Sequence, residues 1–103
     1  MKFRFTSVAE RTLSDVIDFY NLIDEESDTN LASRVYLTVS DALSRLLVFP
    51  YMGHLYNKKR GVFRFNLDFN LGVFYKLNSD ELVVLAIIDL RQDPSGYNAL
   101  LEI

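Results

Sequence analysis

The strongest pattern of the chain lies in residues 61–91, GVFRFNLDFNLGVFYKLNSDELVVLAIIDLR, where apolar side chains recur every second residue. A period of two is typical of β-strands, because successive side chains point to opposite faces of a sheet. The pattern predicts strands at 62–67, 71–77 and 82–90. The residues between these runs include Asp, Asn and Ser, which favour tight turns. We therefore expect three consecutive antiparallel strands.

The two predicted turns determine which side chains share a face of this sheet. Tight turns place Leu67 opposite Leu71 and Leu77 opposite Leu82, and alternation then assigns the remaining residues. The first face is almost wholly apolar and is expected to pack against helices: Phe63, Phe65, Leu67, Leu71, Val73, Tyr75, Leu77, Val84, Ala86, Ile88 and Leu90. The second face is expected to stay open to solvent: Val62, Arg64, Asn66, Gly72, Phe74, Lys76, Val83, Leu85, Ile87, Asp89 and Arg91.

The residues before this sheet predict one strand and two helices. Residues 2–6 alternate as a short strand, and Ser7 with Glu10 fits the capping box of a helix start. Apolar side chains then recur at helical spacing over residues 9–23 and again over residues 31–47. Because only a short acidic run separates these stretches, the two helices are expected to lie antiparallel.

The predicted elements define a fold class. Pro50 ends the second helix, and the tail after Pro94 is expected to form a short helix or an additional edge strand. The expected class is α+β, with two antiparallel helices packed on one face of an antiparallel sheet, in the order β-α-α-β-β-β.

Length and composition limit the class of protein. The chain has 103 residues, half of them hydrophobic, which predicts one domain, 1–103, with a sizeable core. It has no cysteine and one histidine, His54, so thiolate and two-histidine metal sites are excluded and no cofactor is expected. No apolar run is long enough for a signal peptide or a membrane span, and we expect a cytoplasmic protein with no membrane partner.

The basic residues are concentrated in a chain whose net charge is −3. Residues 51–64 carry four basic side chains and no acidic one. The solvent face of the predicted sheet combines such cations with an apolar floor, a combination that indicates a surface for a partner. The residues expected to bind a partner are Lys58, Lys59, Arg60, Arg64, Phe74, Lys76, Leu85, Ile87 and Arg91.

The element order and three motifs resemble the RelE/ParE superfamily of type II toxin–antitoxin toxins. Residues 46–53, LLVFPYMG, are similar to its Leu-x-x-x-Pro-x-x-Gly hinge, and residues 73–77, VFYKL, to its middle strand. Residues 84–94, VLAIIDLRQDP, resemble its last strand and the Arg-x-Asp-Pro sequence that follows. Positions that fall as in the first helix of the family are Ala9, Leu13, Ile17 and Tyr20.

The resemblance implies a small cytoplasmic toxin of the plasmid-stabilisation type, held inactive by a cognate antitoxin. ParE-like members poison DNA gyrase, whereas RelE-like members cut messenger RNA, usually on the ribosome. We expect the ParE-like function, binding to a protein target such as DNA gyrase. The alternatives are a RelE-like ribosome-dependent mRNA endoribonuclease and a non-toxic binding module of the same fold. A homodimer and a toxin–antitoxin hetero-oligomer are both compatible with this hypothesis.

RNA cleavage would require a base, a cation that holds the phosphate and an acid for the leaving oxygen. The candidates are Arg64 and Arg91 as a clamp on the predicted solvent face, with Asp89 or His54 as a base. Asp89 stands where many family members carry histidine, and it is expected to pair with Arg91 and neutralise it. Tyr75 is expected in the core. The incomplete set makes us expect a poor RNA-cleaving enzyme, or none.

Overall fold

The computed structural model describes all 103 residues, Met1–Ile103. The elements follow in the order β1 (Lys2–Phe5), α1 (Ser7–Ser27), α2 (Leu31–Val48), β2 (His54–Asn57), β3 (Val62–Leu67), β4 (Leu71–Leu77), β5 (Glu81–Asp89) and α3 (Pro94–Leu100). The strands form one sheet in the order β1-β5-β4-β3-β2, in which only the β1–β5 pair is parallel. No helix combines the length and the apolar character needed to cross a membrane. The predicted α+β class is confirmed, and β2 is an additional strand that was not predicted.

Asp24 joins the two long helices. Its carboxylate lies in the last turn of α1 and accepts hydrogen bonds from the backbone N–H groups of Leu31 and Ala32, at 2.7 and 3.0 Å. These N–H groups belong to the first turn of α2, where no helical partner exists for them. The hydroxyl of Thr29 donates to the same carboxylate at 2.6 Å, and together these bonds hold the pKa of Asp24 below its usual range. A residue of the acidic run therefore caps the second helix.

Both long helices pack on the same face of the sheet. Leu46 of α2 and Val73 of β4 are fully buried there, as the sequence predicted. The buried residues of this core are Ala9, Tyr20, Ala32, Val35, Val39, Leu43, Leu46, Leu71, Val73, Tyr75, Leu82, Val84 and Ile87.

The pairing of β4 with β5 shifts by one residue at Leu85. Tyr75 pairs with Val84, as predicted, but Phe74 pairs with Ala86, so Leu85 is an extra residue in β5. Such a β-bulge reverses the faces of all residues that follow it along the strand.

The bulge corrects the predicted faces of β5. Ile87 pairs with a residue of the helix-covered face and lies in that core, whereas Ala86 and Ile88 lie in a second cluster on the opposite side. The assignment of Ala86, Ile88 and Leu90 to the helix-covered face is therefore wrong. The assignment of Ile87 and Asp89 to the solvent face is wrong for the same reason.

The second face of the sheet is covered by α3, so the expectation that it stays open to solvent is also wrong. Tyr97 and Leu101 pack there against Phe74, which is fully buried. The tail was predicted as a short helix or an edge strand, and the helix is what forms. Tyr97 of α3 and Leu101, its C-cap residue, are four residues apart, so both side chains lie on the side of the helix that faces the sheet. The buried residues of this second core are Val62, Phe74, Ala86, Ile88, Tyr97 and Leu101.

Two threonines satisfy the backbone groups around the bulge. The hydroxyl of Thr6 donates to the carbonyl of Leu85 at 3.1 Å, and the hydroxyl of Thr12 accepts from the N–H of Ile87 at 3.0 Å. Unpaired, these groups would each carry the cost of a lost hydrogen bond. Thr6 is also the N-cap of α1, a position that the sequence pattern assigned to Ser7.

Tyr75 anchors the hinge between α2 and β2. Its hydroxyl donates to the carbonyl of Pro50 at 2.7 Å and accepts from the N–H of Gly53 at 3.1 Å. A Cβ atom at Gly53 would lie 2.6 Å from this hydroxyl and 2.9 Å from the carbonyl of Arg64, so only glycine fits. Tyr75 is fully buried, as expected, and burial raises its pKa.

Replacing Tyr75 with Phe is expected to destabilise the fold by about 1–3 kcal/mol, because a buried donor and acceptor lose their partner. Urea unfolding of wild type and Tyr75→Phe measures the difference. Tyr36→Phe on α2 removes an exposed hydroxyl and serves as the control, with a change close to zero. Equal unfolding midpoints for the two variants would mean that the hinge does not depend on this hydroxyl.

Candidate functional site

Arg64 of β3 lies on the face of the sheet that α3 covers. The sheet places it opposite His54 of β2 on one side and opposite Phe74 of β4 on the other. His54 is exposed, whereas Phe74 is buried beneath Tyr97, with 5.5 Å between the ring centres. The structure thus brings His54 and Arg64 together and removes Phe74 from the accessible surface.

The guanidinium of Arg64 is held among aromatic side chains. Its Cζ atom lies 5.5 Å from the ring centre of Tyr56, at a distance typical of cation–π contacts. Its Nε atom is buried and has no hydrogen-bond partner. Burial raises the pKa of Tyr97, the nearby Tyr56 adds to this shift, and Arg64 opposes it. Tyr56 in turn donates to the Oδ1 atom of Asn98 at 2.7 Å, which ties α3 to β2.

The basic turn, defined as Lys58, Lys59 and Arg60, connects β2 to β3. All three side chains are exposed. The Oδ1 atom of Asn57 accepts from the N–H of Arg60 at 2.9 Å, and Gly61 adopts a positive φ of 66°, which closes the turn. The predicted cationic residues of this turn are therefore accessible to a partner.

Asp89 and Arg91 lie on the opposite side of the sheet, towards α1. Arg91 donates to Asp89 through Nε at 3.0 Å, through Nη2 at 2.7 Å and through its backbone N–H at 2.9 Å. The expected pairing of these two residues is confirmed. Hydrogen bonds from Arg91 hold the pKa of Asp89 below its usual range, and the same pair raises the pKa of Arg91.

A second carboxylate lies close to this pair. Asp15 and Asp89 both line a cleft of about 220 Å³ between α1 and the end of β5, together with Phe19, Tyr20 and Gln92. Because Arg91 offsets the charge of Asp89, Asp15 gives the surroundings of the cleft a net negative charge, which is unfavourable for a phosphate.

The structure therefore places the residues of the predicted site on two different sides of the sheet. Arg64, Lys76 and Leu85 lie on the α3 side, where Lys76 and Leu85 are half-buried. Ile87 and Arg91 lie towards α1. The predicted clamp of Arg64 and Arg91 on one face is wrong, because the bulge in β5 turns its end to the other side.

Three site residues were missed at the level of sequence: Tyr56, Tyr97 and Asn98. Tyr56 belongs to the four-residue strand β2, which is too short to show a period. The alternation of Leu55, Tyr56 and Asn57 just before the basic turn was the available signal. No group of three or more His, Asp or Glu side chains is placed to hold a metal ion.

The pairing of Asp89 with Arg91 predicts how the stability of the fold depends on pH. We expect the Asp89 carboxyl to titrate below 3.8, and Arg91→Gln to raise its pKa towards that value. Because the pKa is lower in the folded chain than in the unfolded one, the pair stabilises the fold above about pH 4. That stabilisation is lost as the pH falls through the folded-state pKa. Carbon-detected NMR titration of the carboxyl measures the shift.

Arg45→Gln is the control for this titration, since Arg45 pairs with the exposed Asp41 elsewhere on the surface. It should leave the Asp89 titration where it is. An Asp89 carboxyl that titrates alike in wild type and Arg91→Gln would contradict the pairing.

A helical hairpin packed on a five-stranded sheet agrees with the element order that the sequence shares with the RelE/ParE superfamily. The sequence model of the ParE toxin of the type II toxin–antitoxin system parDE matches residues 3–94. The chain therefore belongs to the ParE toxin family.

Two further comparisons were made with known proteins. A search of curated protein sequences found no match. Among solved structures, a chain described as the chromosomal ParDE TA system from P. aeruginosa is similar, with a TM-score of 0.67 and 17% sequence identity. The match covers 84% of this chain and 92% of that one. At this identity the likeness shows a shared fold.

Proposed function

We propose that this ParE-like toxin acts by binding a protein target such as DNA gyrase and is neutralised by a cognate antitoxin. Residues 1–103 form one toxin domain in this proposal. The observation that carries it is the separation of Arg64 from Arg91, which lie on opposite sides of the sheet.

A cleaving enzyme would stabilise the charge that develops on the phosphate with cations aimed at one point. Arg91 is instead bound by Asp89 in a two-pronged pair, and Asp15 adds a further negative charge nearby. Arg64 lies partly beneath the tyrosines of the α3 side. A toxin that acts by binding needs none of these groups to converge, which favours a protein target.

One observation favours the RelE-like alternative. His54 lies opposite Arg64 on neighbouring strands, and the basic turn follows at the end of β2. A histidine and an arginine on one face are the types of residue that supply a base and a phosphate-binding cation. This pair makes ribosome-dependent mRNA cleavage the second candidate function.

Purified toxin is to be tested in parallel on DNA supercoiling by gyrase and on mRNA in translating ribosomes. We expect inhibition of supercoiling, no codon-phased cleavage, and growth arrest when the toxin is expressed. Codon-phased cleavage that falls about 10²–10⁴-fold in His54→Ala or Arg64→Ala would establish the nuclease instead. Expression without growth arrest would favour a non-toxic binding module.

The antitoxin is proposed to contact the basic turn. The resemblance implies that antitoxins of this superfamily lay an acidic, partly disordered tail across their toxin. Such a tail finds three exposed cations in the basic turn and no acidic residue within it. Folding on binding suits a segment of this kind.

Charge reversal tests this contact. Lys59→Glu with Arg60→Glu should weaken the toxin–antitoxin complex about tenfold at low ionic strength and reduce the salt dependence of its Kd. Lys2→Glu with Arg11→Glu reverses two exposed charges elsewhere and should have a smaller effect. Equal losses of affinity in the two double variants, measured by calorimetry, would exclude the basic turn as the specific contact.

A further inference from the structure

Large apolar side chains stand exposed where α2 passes into β2. We call these residues the hinge projection: Val48, Phe49, Tyr51, Met52 and Leu55. Their exposed fractions lie between 41% and 75%, and they account for five of the eleven exposed large hydrophobic residues of the chain. Exposed apolar side chains concentrated in this way mark an interaction surface more often than scattered ones do.

Hydrogen bonds fix the backbone of the hinge projection. The buried hydroxyl of Tyr75 bonds to both Pro50 and Gly53, in the middle of the segment. The N–H of Met52 donates to the carbonyl of Phe49 at 3.0 Å, which closes a turn between the two exposed side chains. A surface fixed before binding loses little conformational entropy when a partner arrives.

An aromatic stack supports the projection from beneath. The rings of Tyr51 and Phe63 meet in a T-shaped arrangement with 5.8 Å between their centres, and Phe63 stacks on Tyr75 with 5.4 Å between ring centres. Tyr51 is therefore both exposed and supported by the core. Aromatic residues with these two properties are typical anchors of protein interfaces.

The stretch of chain that contains the hinge projection is basic. Between Asp41 and Asp68 it has no acidic residue, although the net charge of the chain is −3. Its basic residues are Arg45, which pairs with Asp41, and the unpaired Lys58, Lys59, Arg60 and Arg64. A complementary surface would present carboxylates around an apolar centre.

We propose that the hinge projection is the contact by which the toxin grips its target, and that the target supplies an apolar pocket bordered by acidic side chains on a folded protein. This inference rests on the proposed function, because it assumes a protein target. A projection fixed before binding fits a preformed cavity on a folded protein at low entropic cost, whereas a disordered tail would have to become ordered around it. Phe49 and Tyr51 can stack on bases but the aliphatic Val48 and Leu55 cannot, so an apolar protein pocket suits the whole projection better than RNA does.

Purified DNA gyrase is the probe for this surface. The double variant Phe49→Ser with Tyr51→Ser should need at least a tenfold higher concentration than wild type to inhibit supercoiling. It should no longer arrest growth on expression. The matched control is Leu22→Ser with Leu37→Ser, which removes two apolar side chains that are 63% and 64% exposed on the helices. This control should retain both activities. Thermal unfolding of both double variants checks that the fold is kept.

The outcomes separate this surface from the choice of target. If wild type arrests growth without affecting gyrase, gyrase is excluded, and relief of the arrest in Phe49→Ser with Tyr51→Ser still supports the surface. If that variant inhibits gyrase or arrests growth as strongly as wild type, the surface inference is overturned. Two further results overturn it. In the first, wild type cleaves mRNA on ribosomes and the double variant does not. In the second, wild type sediments as a dimer and the double variant as a monomer. A wild-type chain with neither gyrase inhibition nor growth arrest overturns the proposed function and this inference together.

Discussion

The extra residue Leu85 in β5 is the constraint on which the rest of the structure depends. It places both Val84 and Ile87 on the side of the long helices and Ala86 on the side of α3. Beyond Val84, where the pairing with β1 ends, Thr6 and Thr12 provide hydrogen bonds for the backbone groups of Leu85 and Ile87. Since both threonines lie at the start of the first long helix, the position of this helix and the register of the strand are coupled.

The same bulge determines what the toxin can do with its charged residues. It turns Asp89 and Arg91 towards α1, where they bind one another, and leaves Arg64 on the other side beneath aromatic rings. Two guanidinium groups separated by a sheet cannot hold one phosphate. The family membership of the chain and this separation together favour a toxin that acts through contact surfaces.

The two proposed contact surfaces lie along one edge of the sheet. The basic turn and the hinge projection are joined by β2, whose four residues span about 13 Å. An antitoxin bound at the turn would therefore stand close enough to the projection to obstruct a folded target. The buried hydroxyl of Tyr75 connects this edge to the core, because it holds the hinge from which β2 begins.

Local patterns in the sequence were sufficient for the long helices and for the strands at 62–67 and 71–77, because periodicity and turn residues act between neighbours in the chain. The buried position of Tyr75 and the pairing of Asp89 with Arg91 followed from the same patterns. The faces of β5 did not, since residues 82–88, LVVLAII, are apolar throughout and bury equally well in either register. The backbone groups beside the bulge bond to threonines more than seventy residues away in the chain, and Phe74 is covered by a helix at the C-terminal end. Contacts of that range arise only when the chain has folded, which is why the grouping of the charged residues had to come from the tertiary structure.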